Sequence, residues 1–221
     1  MKYKKSKLLL LGCLLLAVSQ MCSAGIIAYT DRISWENALT GSIVEESFNG
    51  ISKYDFSLGS NSAGLLDINI SGDSHGSNRI EDIANSSLDI DGSNYYLGNV
   101  RNGSPSTYSE LAFGTDIYTF GADWVGVVGY GNLVATIGSV DINFTDYFSG
   151  KYDAGFLGFI SDESFSSIFF STESVTTNEA FGMDNVAFSV SSVPEPGSLL
   201  LMLVPLGILI ARRNRLNNLH T

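Results

Sequence analysis

The sequence predicts an all-β fold, an antiparallel β-sandwich of the jelly-roll kind, for residues 25–192. Three observations predict it. Short segments rich in β-branched and aromatic residues recur between clusters of Gly, Ser, Asn and Asp. Turn signals return about every ten residues, the spacing of a many-stranded antiparallel domain. Residues 140–144 alternate Val140, Ile142 and Phe144 with Asp141 and Asn143, which is the pattern of a strand with one face buried.

The chain opens with Lys2, Lys4, Lys5 and Lys7 ahead of the apolar run 8–18, followed by Cys22-Ser23-Ala24. A basic start, a short apolar stretch and small residues make a secretory signal peptide over 1–24, cut after Ala24. Lipoprotein processing at Cys22 is the rival reading, and Met21 before it fits that processing poorly. Strands are then expected at 26–30, 43–48, 64–70, 87–90, 95–97 and 109–113, and further at 117–128, 133–144, 155–160, 165–170 and 181–190. Only 32–39 looks helical, with Asp31 as its N-cap. The Ser, Gly and Asn clusters read as turns, and no internal repeat is evident. One domain accounts for this length.

The C-terminal segment reads differently. Val193-Pro194-Glu195-Pro196-Gly197 precedes an uncharged run from Leu199 to Ala211, and Arg212, Arg213 and Arg215 follow it. As a helix the run spans about 20 Å, short of the ~30 Å hydrocarbon core. Residues 197–211 are nonetheless expected to cross a membrane once, because snorkelling arginines and local bilayer thinning make up the difference. The arginines place the C-terminus in the cytoplasm. A buried helix of a soluble domain would need a polar face, and this run has none.

Both cysteines, Cys13 and Cys22, fall in the predicted leader, so the exported domain folds without disulfides and has neither a thiol nucleophile nor a cysteine-ligated metal. Between residues 25 and 193 only Arg32, Lys53, Arg79, Arg101 and Lys151 oppose 22 Asp and Glu, a net charge of −17. Such a surface excludes nucleic acid and argues against anionic glycans as direct partners.

Pro194-Glu195-Pro196, the short apolar span and the arginine cluster, in that order, resemble the PEP-CTERM sorting signal over residues 193–215. The resemblance implies an exosortase substrate: export by the Sec machinery, a stay in the inner membrane with the ectodomain outside the cytoplasm, and recognition by an exosortase, a membrane peptidase. It also implies delivery to the cell surface or extracellular matrix, in company with exopolysaccharide and biofilm formation. Val193, Pro194, Glu195 and Pro196 are then the recognition element, which the prolines hold extended. Looser likenesses to exported proteins with this tail lie in Tyr29-Thr30-Asp31-Arg32 with Trp35, in Glu45-Glu46-Ser47-Phe48, and in Phe181-Gly182-Met183-Asp184-Asn185-Val186. In jelly rolls that look related, an acid near the second strand and an Asp of the last strand share a calcium ion. Here those residues are Glu46 and Asp184, and hard oxygen ligands suit that ion.

Asp184 draws notice without the resemblance, because it lies in an apolar strand where an unpaired carboxylate is expensive to bury. The other candidates are weaker. Gly72-Asp73-Ser74-His75-Gly76 fits the G-x-S-x-G spacing, yet the only other histidine is His220 beyond the apolar run, so no base and orienting group accompany Ser74. Asp89-Ile90-Asp91-Gly92 resembles part of an EF-hand loop, but the twelfth position is Gly98 where a bidentate Glu belongs; a β-turn is expected. Glu45/Glu46, Glu81/Asp82 and Asp162/Glu163 are neighbours on a strand and point to opposite faces, so none forms a glycosidase pair by itself. Trp124, Tyr95, Tyr96 and Tyr130 could stack on sugar rings if exposed. The expectation is a non-catalytic surface or matrix protein, structural or glycan-binding; the alternative is a secreted hydrolase of polysaccharides.

Overall fold

The computed structural model describes residues 25–72, 78–82, 87–102 and 106–191. Residues 1–24 with Ala24, residues 73–77 with Ser74 and His75, and the whole of 193–215 lie outside the described residues. Among the described residues no helix is long and apolar enough to cross a membrane.

The all-β expectation holds: among the described residues twelve strands join in one antiparallel hydrogen-bonded network. They are β1 (Ile26–Tyr29), β2 (Val44–Glu46), β3 (Tyr54–Asp55), β4 (Gly59–Ala63), β5 (Leu66–Gly72) and β6 (Arg79–Glu81), then β7 (Tyr95–Val100), β8 (Thr107–Val125), β9 (Leu133–Ile137), β10 (Val140–Asn143), β11 (Ala154–Thr172) and β12 (Glu179–Ser189). Their order is β10-β9-β11-β8-β12-β7-β6-β3, with β1 on β11, β2 on β12, and β5 carrying β4 against β8.

β8 and β11 organise the rest. Each is 19 residues long where the sequence suggests two short strands. The register between them shifts twice: residues 161–164 of β11 bulge against Tyr118, and residues 113–116 of β8 bulge against Ser166. Successive bulges of this kind, one on each strand, bend paired strands without ending them. The first half of β8 can therefore pair with β5 while its second half pairs with β12.

The main core gathers rings from these bent strands. Trp124 is fully buried and meets Phe144, Phe170 and Phe181 at centroid distances of 4.9, 5.6 and 5.9 Å. A smaller cluster seats the only α-helix of the described residues, α1 (Arg32–Ala38). Asp31 caps it as expected, accepting from the Ser34 N–H and hydroxyl. Trp35 of α1 packs at 5.5 Å on Phe156, above the facing pair Gly121 and Gly158. A Cβ on either glycine would lie within 2.7 Å of the Phe156 ring, so the bare backbone is what lets the helix dock.

Two expected strands differ. Residues 87–90 form turn and bend because Asp89 accepts from the Gly92 N–H and Asp91 from the Ser93 N–H, closing the Asp-Gly turn instead. Segment 133–144 divides into β9 and β10 at Gly138, whose φ of +60° makes the hairpin.

Candidate functional site

The site builds up from a change of neighbour along β12. Its first half pairs with β7 and its second half with β2, the exchange falling at Asp184 and Asn185. There the register against β8 slips between Asp184 and Ala187, and Asn185 adopts a left-handed φ of 49°. An extra residue in the bulge lets Asp184 turn into the protein and Asn185 turn out.

Asp184 is completely buried. Its Oδ1 accepts from the Asn185 N–H at 2.6 Å and its Oδ2 from the Ser93 hydroxyl at 3.0 Å. Burial pushes its carboxyl up to about 7 despite those two donors, and the charges of Asp91 and Asp123 add to the rise. Asp123 stands opposite it in the β8 register. The Asn185 side-chain amide bridges Asp91 and Asp123 at 3.2 and 3.0 Å. Arg32, on the first turn of α1, closes the cluster: its guanidinium donates to the Asn185 carbonyl at 2.7 Å, lies 3.3 Å from Asp123, and sits over the Phe156 ring. Outside lies a cleft of about 480 Å³ lined by Arg32, Glu45, Glu46, Ser47, Asp123 and Asn185.

Glu46 reaches the same cleft but is already engaged. Its Oε1 accepts from the Phe48 N–H and its Oε2 from the Leu65 N–H, both at 2.8 Å. Among the described residues no hydrogen bond joins Glu46 to Asp184. Among the described residues no group of three or more His, Cys, Asp and Glu is arranged to hold a metal ion. Glu46 and Asp184 thus each turn to the chain's own donors rather than to one another.

The remaining candidates resolve into structural roles. Glu45 is exposed next to Glu46 on β2 and lines the same cleft, and Glu81 is gripped by Lys53 and Arg79. Burial by itself would raise Glu81, yet the two cations hold it below the usual carboxylate range. Trp124, Tyr95 and Tyr96 are fully buried, whereas Tyr130 is 70% exposed. Tyr96 is tied into the core by Asn78 and Ser109, its hydroxyl lying 2.8 and 2.6 Å from their side-chain oxygens.

Two carboxylate clamps lie beyond what the sequence singles out. Glu179 is almost fully buried, and its Oε2 accepts from the N–H groups of Gly129, Gly131 and Asn132 at 3.1, 2.8 and 2.9 Å. Asp153 accepts from the N–H groups of Ser149 and Gly150 at 3.1 and 2.7 Å. The Ser149-Gly150 turn just before Asp153 is a local signal for the second clamp. Glu179 is some fifty residues from its donors, so nothing local announces it.

No protein-family model matches the chain, and no curated protein matches it either.

Proposed function

We propose that this chain is an exported, non-catalytic cell-surface or matrix protein whose ectodomain is a jelly-roll sandwich, with β8 and β11 running through both of its layers. In this reading Sec export removes residues 1–24. Residues 197–211 then hold the chain in the inner membrane, and an exosortase-type peptidase recognises Val193-Pro194-Glu195-Pro196 ahead of Arg212, Arg213 and Arg215. The observation that carries the non-catalytic part is the state of three acids, half-buried Glu46 and buried Glu179 and Asp184. Glu46, Glu179 and Asp184 each spend their oxygens on the chain's own amides and hydroxyls. Such acids act as staples for loops in a domain without disulfides, because their oxygens are taken up by backbone and hydroxyl donors.

Incubation with a panel of polysaccharides tests this. No reducing ends are expected. Their release, abolished by substituting one carboxylate, would make the protein a hydrolase and overturn the reading. Calcium enters the proposal as a structural ion for the Asp184 region. Isothermal titration gives heat and a raised melting temperature if an ion neutralises the buried acid, and neither if a proton does so.

A further inference from the structure

Tyr130 and Tyr152, 70% and 55% exposed, are the two most exposed aromatic rings among the described residues. They are not loose. The Lys151 ammonium lies 3.8 Å from the centre of the Tyr130 ring and 5.0 Å from that of Tyr152, and it donates to the Tyr130 hydroxyl at 2.6 Å. The backbone beneath is fixed on both sides. Glu179 grips the N–H groups that flank Tyr130, and the Thr177 hydroxyl donates to the Tyr130 carbonyl at 2.7 Å. Asp153 grips the turn that leads into Lys151 and Tyr152. Two carboxylate-clamped loops thus present two aromatic rings and one ammonium to solvent.

We propose that Tyr130, Lys151 and Tyr152 form a docking surface for an uncharged polysaccharide. The proposal rests on the non-catalytic surface reading and gives that reading its ligand. The C–H faces of a sugar ring match the flat, exposed face of tyrosine, while the ammonium and phenol hydroxyls donate to sugar oxygens. Holding these groups in place beforehand lowers the entropy lost on binding. The charge selects the class of sugar. The domain carries −17 from 25 to 193, and one lysine cannot overcome the repulsion of a polyanion. A cleft of about 260 Å³ lined by Tyr147, Ser149 and Asp153 lies on the loop that carries Lys151 and Tyr152.

The test uses full-length protein in a polyoxyethylene detergent, which has no sugar headgroup to compete. Its migration is followed through gels containing a mixed-linkage β-glucan, a glucomannan, a dextran or an alginate. Retardation by at least one neutral polymer is expected, unchanged within about twofold between low and moderate salt. The double variant Y130A/Y152A should weaken it at least about tenfold. Y130F should keep it, because the ring remains, and K151M should weaken it a few-fold. Normal melting of the variants separates lost binding from lost folding. No retardation by any neutral polymer, retardation indifferent to Y130A/Y152A, or binding to alginate alone would each overturn the proposal. Release of reducing ends in the same mixtures would instead sink the non-catalytic reading, so the two failures are distinguishable.

Discussion

The carboxylate of Glu46 occupies the space that a side chain on Gly64 would need: a Cβ there would lie 1.9 Å from Oε2. Gly64 also has a φ of +66°, which L side chains adopt at a penalty. The two residues fit because one is bare and the other bends back to cap the Leu65 and Phe48 amides. The same pattern, an acid folded onto backbone N–H groups, recurs at Glu179 and Asp153.

Gly64→Ala should therefore destabilise the protein by about 1–3 kcal/mol, from backbone strain and the displaced cap together. Thermal melting checks it. Removing the collision through Glu46→Ala in the same chain should not restore stability, because the Phe48 and Leu65 amides then lose their acceptor.

Glu179→Gln should cost about 2–4 kcal/mol, since one neutral oxygen replaces a buried charge that three amides share. Hydrogen exchange gives the sharper readout. Gly129, Gly131 and Asn132 should lose protection while β9 next to them keeps its own. Equal loss throughout would mean global unfolding rather than release of a clamp.

Asp184 should make the protein less stable as pH rises. Its folded value of about 7 lies above the ordinary 3.8, so the fold favours the protonated form. The advantage is complete below about pH 4 and is lost progressively towards pH 7 and above. Asp184→Asn, neutral at every pH, should gain on the wild type across that window by about 2–4 kcal/mol and stay level beyond it. Melting curves in a chelator between pH 5 and 9 measure the difference, and a constant offset would contradict the assignment.

Trp35→Ala should remove about 3–5 kcal/mol by emptying the space above Gly121 and Gly158. Gly158→Ala should instead push the ring outward, with a red shift of the emission from Trp35 while Trp124 stays buried.

The fold class, helix α1 and its Asp31 cap were legible because they depend on local pattern: alternation, turn residues and a capping side chain. The length of β8 and β11 was not. Gly114-Thr115-Asp116 and residues 161–164 each look like a turn alone, and only the paired strand running past each of them converts it into a bulge. β4 was hidden for another reason: Gly59-Ser60-Asn61-Ser62 has no apolar signature and is held by the Asn61 amide, which donates to the Ser57, Gly59 and Ile68 carbonyls. Asp184 stood out as an acid in an apolar strand. Its companions Ser93, Asp91 and Asp123 did not, since they come from remote loops and strands joined only by register.

The measurement that bears most directly on the account is the intact mass of the protein recovered from a cell that contains an exosortase, beside the same cell lacking that peptidase. A surface-delivered product that starts at Gly25 and ends near Pro194 to Pro196 is predicted in the first, with 197–221 retained in the second. A chain that keeps its C-terminal residues in both, or never leaves the cytoplasm, would contradict it.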